Sequence, residues 1–267
     1  MPQKMKHLLA SLILLLFAPL VIADGHELPQ LELGVSLGVL NIPNYRGSKN
    51  TSTLVFPLPY IKYRGKRVKV DDGIQGIFFD SKNLIVSVSG NGTLPVDDDN
   101  PERVGMDELD ATLEIGPSLD YRLTQGPSQW WIELPLRLAF TLNSEFEHIG
   151  QVFEPRLVWR KPSRRLYNWK LRAAFGPVYA TGEFHDYYYQ VNADEVLATR
   201  PAYNAGAGFS GVRGTFTYSK RYGEFWLGGF VRYDSLSGSV VEDSPLVSDS
   251  AAWMTGIAVG WVFSDQY

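Results

Sequence analysis

Few residues in this chain are placed for chemistry. His185 is followed by Asp186 and then by Tyr187, Tyr188 and Tyr189. A His–Asp pair can orient a general base toward a serine or a water. Adjacent side chains on an extended chain point apart, however, so the stretch reads as a Tyr-rich loop packed over whatever lies beneath it. The other two histidines beyond the leader, His26 and His148, stand alone. The run Asp97-Asp98-Asp99-Asn100 offers oxygen ligands but lacks the glycine and closing glutamate of a calcium loop. It reads as a solvated acidic loop, with a divalent bridge to lipopolysaccharide phosphates as its softer use. Cysteine is absent, which excludes disulfides, thiolate nucleophiles and metal–thiolate sites. No catalytic, cofactor or metal residue is assigned, and the chain is read as no enzyme. What remains is a set of basic clusters: Lys62, Arg64, Lys66, Arg67 and Lys69; Arg160, Lys161, Arg164 and Arg165; Lys220 and Arg221.

The elements carrying these residues are strands. In "LDATLEIGPSLDYRL" (109–123) every odd position is apolar or aromatic and no even position is. "QWWIELPLRLAFTL" puts Trp130, Ile132, Leu134, Leu136, Leu138, Phe140 and Leu142 on one face. "LELGVSLGVL" and "EFWLGGFVRY" alternate in the same way. Period-2 patterning means strands with two unlike faces, and no stretch beyond the leader shows a 3.6-residue period. Strands of this length exceed the five or six residues usual in soluble sheets. Their second face, rich in Gly, Ser and Thr with scattered Glu and Arg, suits a crowded wet interior.

The leader "MPQKMKHLLASLILLLFAPLVIADG" has a charged start, a short apolar core and a cleavage site after Ala23. Residues 1–23 are read as a signal peptide and 24–267 as one domain. Export, long two-faced strands, aromatics near strand ends and a final aromatic, Tyr267, predict a closed antiparallel transmembrane β-barrel in the outer membrane of a Gram-negative cell. Strands are expected near 31–40, 53–63, 67–72, 74–79, 83–91, 108–123, 129–142, 151–160, 168–180, 202–219, 224–236 and 250–263, about 12 in all. Merging the short pair in "RVKVDDGIQGIFFD" breaks the even parity, and 10 strands is the alternative count. A phase change at "SGVRG" predicts a bulge. Asp265 falls in the lipid-facing phase, against the pattern.

Long connections at 41–52, 92–107, 143–150, 181–201 and 237–249 alternate with short ones, which predicts longer external loops and short periplasmic turns. The short turns are basic and the long loops acidic, so the barrel should be positive toward the periplasm. Attraction to anionic headgroups explains basic turns in part. A sharper reading makes Lys62, Arg64, Lys66, Arg67, Arg160, Lys161, Arg164 and Arg165 a docking surface for an acidic periplasmic partner. The net charge of −4, with no massed basic stretch, argues against nucleic acid. Expected surroundings are outer-membrane lipid and lipopolysaccharide. A barrel this narrow is expected to conduct little.

The stretches "NIPNYRGS" (41–48), "PLPYIKYRG" (57–65), "HDYYYQV" (185–191), "RPAYNAGAGFSG" (200–211) and "YDSLSGSVVEDSPLV" (233–247) resemble the MipA/OmpV family of outer-membrane proteins. The resemblance implies a barrel without known enzymatic activity and without agreed catalytic residues. It also implies a scaffold role, the namesake joining a murein-cleaving lytic transglycosylase to a bifunctional murein synthase. Other members are linked to adhesion or antigenic loops, so a surface adhesin or a small channel is the alternative.

Overall fold

The computed structural model describes residues 28–267 apart from 72–73, 97–99, 164 and 166. The leader, His26, the Asp97–Asp99 run and Arg164 lie outside the described residues. The strands are β1 (Leu31–Pro43), β2 (Thr51–Arg64), β3 (Val68–Val70), β4 (Ile74–Asp80), β5 (Leu84–Thr93), β6 (Thr112–Arg122) and β7 (Gln129–Thr141). They continue with β8 (His148–Phe153), β9 (Arg156–Lys161), β10 (Lys170–Ala180), β11 (Gly208–Tyr222), β12 (Phe225–Ser235) and β13 (Ala251–Gln266). Apart from β8 and β9, which do not pair with each other, consecutive strands pair antiparallel, and β13 pairs back onto β1, which closes the ring. β8 and β9 both pair with β7 and with β10, so they are two halves of one stave. The wall therefore has 12 staves, as the alternation predicts. The interruption is Glu154-Pro155: Pro155 has no N–H for the ladder.

Along β7 the burial pattern alternates, with Trp131, Glu133, Arg137 and Ala139 buried and Trp130, Leu136 and Leu138 exposed. Exposed apolar side chains on the outer face are those that meet lipid in an outer-membrane barrel. The opening third of 109–123 departs from expectation. β6 begins only at Thr112, and Leu109 bridges to Val96 and is buried in a cluster at the loop end.

Two of the bulges bear on the expected phases. Near Gly211 the β10–β11 register shifts between Pro177 and Tyr179, where "SGVRG" predicts it. Gly211 has φ +92°, and a Cβ there would lie 2.0 Å from the Ser235 carbonyl oxygen. The second bulge, at Phe263, is the one that resolves Asp265. Leu33 pairs with Ser264 but Gly34 pairs with Val262, so Phe263 is skipped and the strand changes phase. Asp265 thereby turns into the lumen, where Arg221 donates to both its oxygens at 2.6 and 2.9 Å. The lipid-facing assignment of Asp265 is corrected by one extra residue.

Connections at one end are short (65–67, 81–83, 123–128, 162–169, 223–224) and at the other long (44–50, 94–111, 142–147, 181–207, 236–250). The connection after β10 contains a helix that the sequence reading does not expect, α1 (Gly182–Tyr189), only 8 residues long and so too short for a sustained 3.6-residue period.

Candidate functional site

The long-loop end is filled. Phe184, Tyr188 and Tyr189 of α1 pack with Tyr45, Val96, Leu109, Ile149, Val178, Leu236 and Val241 in one buried cluster. Hydrogen bonds pin the loops together. Tyr45 donates to the Leu246 carbonyl at 2.6 Å, Tyr189 to that of Arg46 at 2.8 Å, and Ser244 to that of Tyr189 at 2.8 Å. Arg200 donates to the Glu102, Val104 and Glu195 carbonyls. Four distant stretches that carry the family resemblance thus converge on this plug. His185 is part of it, with no exposed surface. Its Nδ1 lies 2.8 Å from the Gly206 carbonyl, and burial lowers its pKa. It faces packed side chains rather than a cleft. His148 lies exposed at the start of β8, edge-on to Phe140.

Below the plug the lumen is a charge network. Glu154, turned inward at the break between β8 and β9, meets Arg137 at 2.7 Å, Arg213 at 3.3 Å and Arg156 at 3.4 Å. Glu133 meets Arg156 at 2.6 Å, Arg172 at 2.8 Å and also Arg160. Arg213 continues to Asp234 at 2.8 Å, and Arg46 reaches the same carboxylate from the loop at 3.0 Å. Arg137 also pairs with Glu114 at 2.8 Å. Near the short-turn end Glu32 holds Arg64 at 2.6 Å and Arg221 at 3.0 Å. Buried ions survive only when paired and hydrogen-bonded, and these are.

A cavity of about 760 Å³ remains inside this network. It extends to Leu28, Arg64, Pro162, Ser163, Asn168 and Lys220, all at or beside the short-turn end. Thirteen cationic side chains and six carboxylates line it among the described residues, an excess of positive charge in a chain whose net charge is −4. Arg122 and Arg232 each bury an unbonded Nε, and neither makes an ion pair among the described residues. Arg122 instead lies 4.4 Å over the Trp131 ring. No sequence pattern singles out this excess, because its members come from many strands.

The expected docking residues divide. Lys66, Arg67, Lys161 and Arg165 are exposed at the short-turn rim. Lys62, Arg64 and Arg160 turn inward, where they pair with Asp71 at 3.3 Å, with Glu32, and with Glu133 and Asp120 respectively. Alternation separates Arg160 from Lys161 along β9, while Lys66, Arg67 and Arg165 stand out because they lie in the turns beyond the strand ends.

A family model described as MltA-interacting protein MipA matches residues 35–263. The outer membrane protein Omp26La of Vibrio anguillarum is 26% identical over 213 residues, which cover 75% of this chain and 76% of that one. The outer membrane protein OmpV of Vibrio cholerae is 25% identical with the same coverage. Among solved structures, the CymD monoaromatic hydrocarbon channel has a TM-score of 0.35 at 12% identity, covering 90% of each chain. The outer membrane protein OprG of Pseudomonas aeruginosa has a TM-score of 0.27 at 8% identity, covering 90% of this chain and 98% of its own.

Proposed function

This chain belongs to the MipA family of outer-membrane proteins, and on that premise we propose that it is a scaffold whose periplasmic rim holds a murein-cleaving lytic transglycosylase. The observation that carries the reading is the exposed cationic rim of Lys66, Arg67, Lys161 and Arg165, set at the end where the barrel is open. Exposed charge at a rim governs encounter and register, and its contribution is screened by salt. The family description, which names interaction with MltA, supplies the class of partner. A bifunctional murein synthase is the second component that such an adaptor would recruit. The filled long-loop end weighs against an open channel, since the plug stands where a pore would need to conduct.

Crosslinking of the tagged barrel in living cells, followed by mass spectrometry, tests the proposal. Recovery of a lytic transglycosylase that falls at least tenfold when Lys66, Arg67, Lys161 and Arg165 are all changed to Glu is the expected result. Unchanged recovery from the quadruple variant sinks the rim as the docking surface.

A further inference from the structure

The barrel wall is incomplete on one side. β2 pairs with β1 over its whole length, from Thr51 to Tyr63. On its other side it pairs with β3 only at Tyr63 and Arg64. β5 pairs with β4 only from Ile85 to Val88, so Ser89–Thr93 are free on that side. Among the described residues no strand fills the space between Thr51–Lys62 and Ser89–Thr93. Burial reports the same opening. Leu58 faces the lumen yet is 41% exposed, whereas the lumen face of β7 is buried.

The free edge carries its own signature. The Arg64 N–H donates to the Gln30 carbonyl on the β1 side at 2.8 Å. By the two-residue period, the backbone groups of Thr53, Val55, Pro57, Pro59 and Ile61 point to the gap. Two of those five are prolines, which have no N–H to leave unpaired. An open strand edge is not tolerated against hydrocarbon but is tolerated where it lines a polar cavity. Tyr60 on one lip and Ser89, Gly90 and Asn91 on the other line the cationic cavity, so the gap leads into it.

The lumen beside the gap is also unlike the rest. Leu54, Phe56 and Leu58 face inward from β2, opposite Leu40, Gly38 and Ser36 of β1. An apolar lip therefore adjoins a chamber with surplus cations, Arg232, Arg122, Lys69 and Lys220 among those without an ion pair in the described residues. We propose that this gap is a side entrance for an anionic phospholipid. The phosphate head enters the cationic cavity, while the acyl chains pass over Leu54, Phe56 and Leu58 and stay in the membrane. Orientation favours phospholipid over lipid A: the gap lies above the hairpin, toward the long loops, and the cavity reaches down from it to Leu28, Pro162 and Ser163 at the short-turn end. A head held low in the cavity with its chains rising through the gap thus has the polarity of the periplasmic leaflet, while the plug fills the end where the head of lipid A would stand. The proposal does not depend on the scaffold reading.

Native mass spectrometry of the delipidated full barrel, reloaded from nonionic detergent, reads this directly. Phosphatidylglycerol, phosphatidylcholine, lipid A and inorganic phosphate are the probes. One phosphatidylglycerol per chain is expected, held at least tenfold more tightly than phosphatidylcholine. Arg232→Gln combined with Lys69→Gln, and separately Leu58→Asp, should each weaken it at least tenfold. Heat-modified migration on a gel checks that each variant is folded, and Leu58, half-exposed, is the variant least able to unfold the barrel. Equal binding of the two phospholipids, preference for lipid A, equal binding of inorganic phosphate, or indifference to Leu58→Asp would each overturn the proposal.

Discussion

The carboxylate of Asp71 lies 2.5 Å from the Lys170 Nζ, although Asp71 follows β3 and Lys170 opens β10, six staves away in a ring of twelve. Asp71, just past the short β3, is thus tied to the opposite wall through the Lys170 side chain. Lys62 takes the second oxygen at 3.3 Å. This link narrows the periplasmic mouth, and the wall above the hairpin is open.

Asp71→Asn should loosen the tie. Charged hydrogen bonds of this kind contribute about 2 kcal/mol each. Hydrogen exchange over 68–80 should quicken at least tenfold while exchange in β6 and β7 stays unchanged. Equal protection in the variant and the parent would mean the hairpin is held by its backbone pairing alone.

Glu154→Ala should be a damaging change in the lumen. It takes one of two carboxylate partners from each of Arg137, Arg156 and Arg213 at once, and breaking a buried ion pair costs about 3–5 kcal/mol. Urea unfolding followed by gel migration should show a lower midpoint than for Glu242→Ala, a change in a loop carboxylate that accepts from the Gly238 N–H and makes no ion pair among the described residues.

Gly34→Val tests the closing seam. A Cβ at Gly34 would sit 2.3 Å from the Trp261 carbonyl oxygen, a backbone atom that cannot swing aside. The bulge at Phe263 would have to shift, at a cost of about 2 kcal/mol. Asp265 would lose Arg221, and the folded fraction recovered from the outer membrane should fall. Normal recovery would show that the seam tolerates another register.

The plug should respond to acid. His185 lies in α1, outside the strands, and burial holds its pKa below the ordinary 6.5, with Arg46 adding to the depression and Asp186 and the Gly206 carbonyl opposing it. The released loop binds a proton that the packed plug resists, so stability is complete above about 6.5 and declines as pH falls from there toward the lowered value. Exchange-corrected protection over 182–191 should be weaker at pH 5 than at pH 7.5, and His185→Gln should remove most of that difference.

Much of this molecule is legible along the chain. The expected strands coincide with the observed ones to within a few residues except at 108–111, 148–150, 202–207 and the broken stave, because facing is a local property of period two. "SGVRG" marks its bulge through a phase change that local reading detects. Asp265 misleads, because the bulge at Phe263 changes phase so near the end that no later residues display the shift. Leu109 misleads because a residue that continues an alternation can equally pack into a loop cluster. Helix α1 is hidden by its brevity.

The alternation by itself determined the architecture: staves, faces, parity and the contrast between long and short connections follow from side chains two residues apart. It also placed a rim of cations without saying which point inward. Only the tertiary structure decided the partners of those charges, since Arg221 and Glu32 meet across 189 residues of sequence and Glu154 gathers arginines from β7, β9 and β11. It likewise decided that a three-residue strand leaves the wall open. A strand's length is local, but whether its neighbour finds another partner depends on how the ring closes.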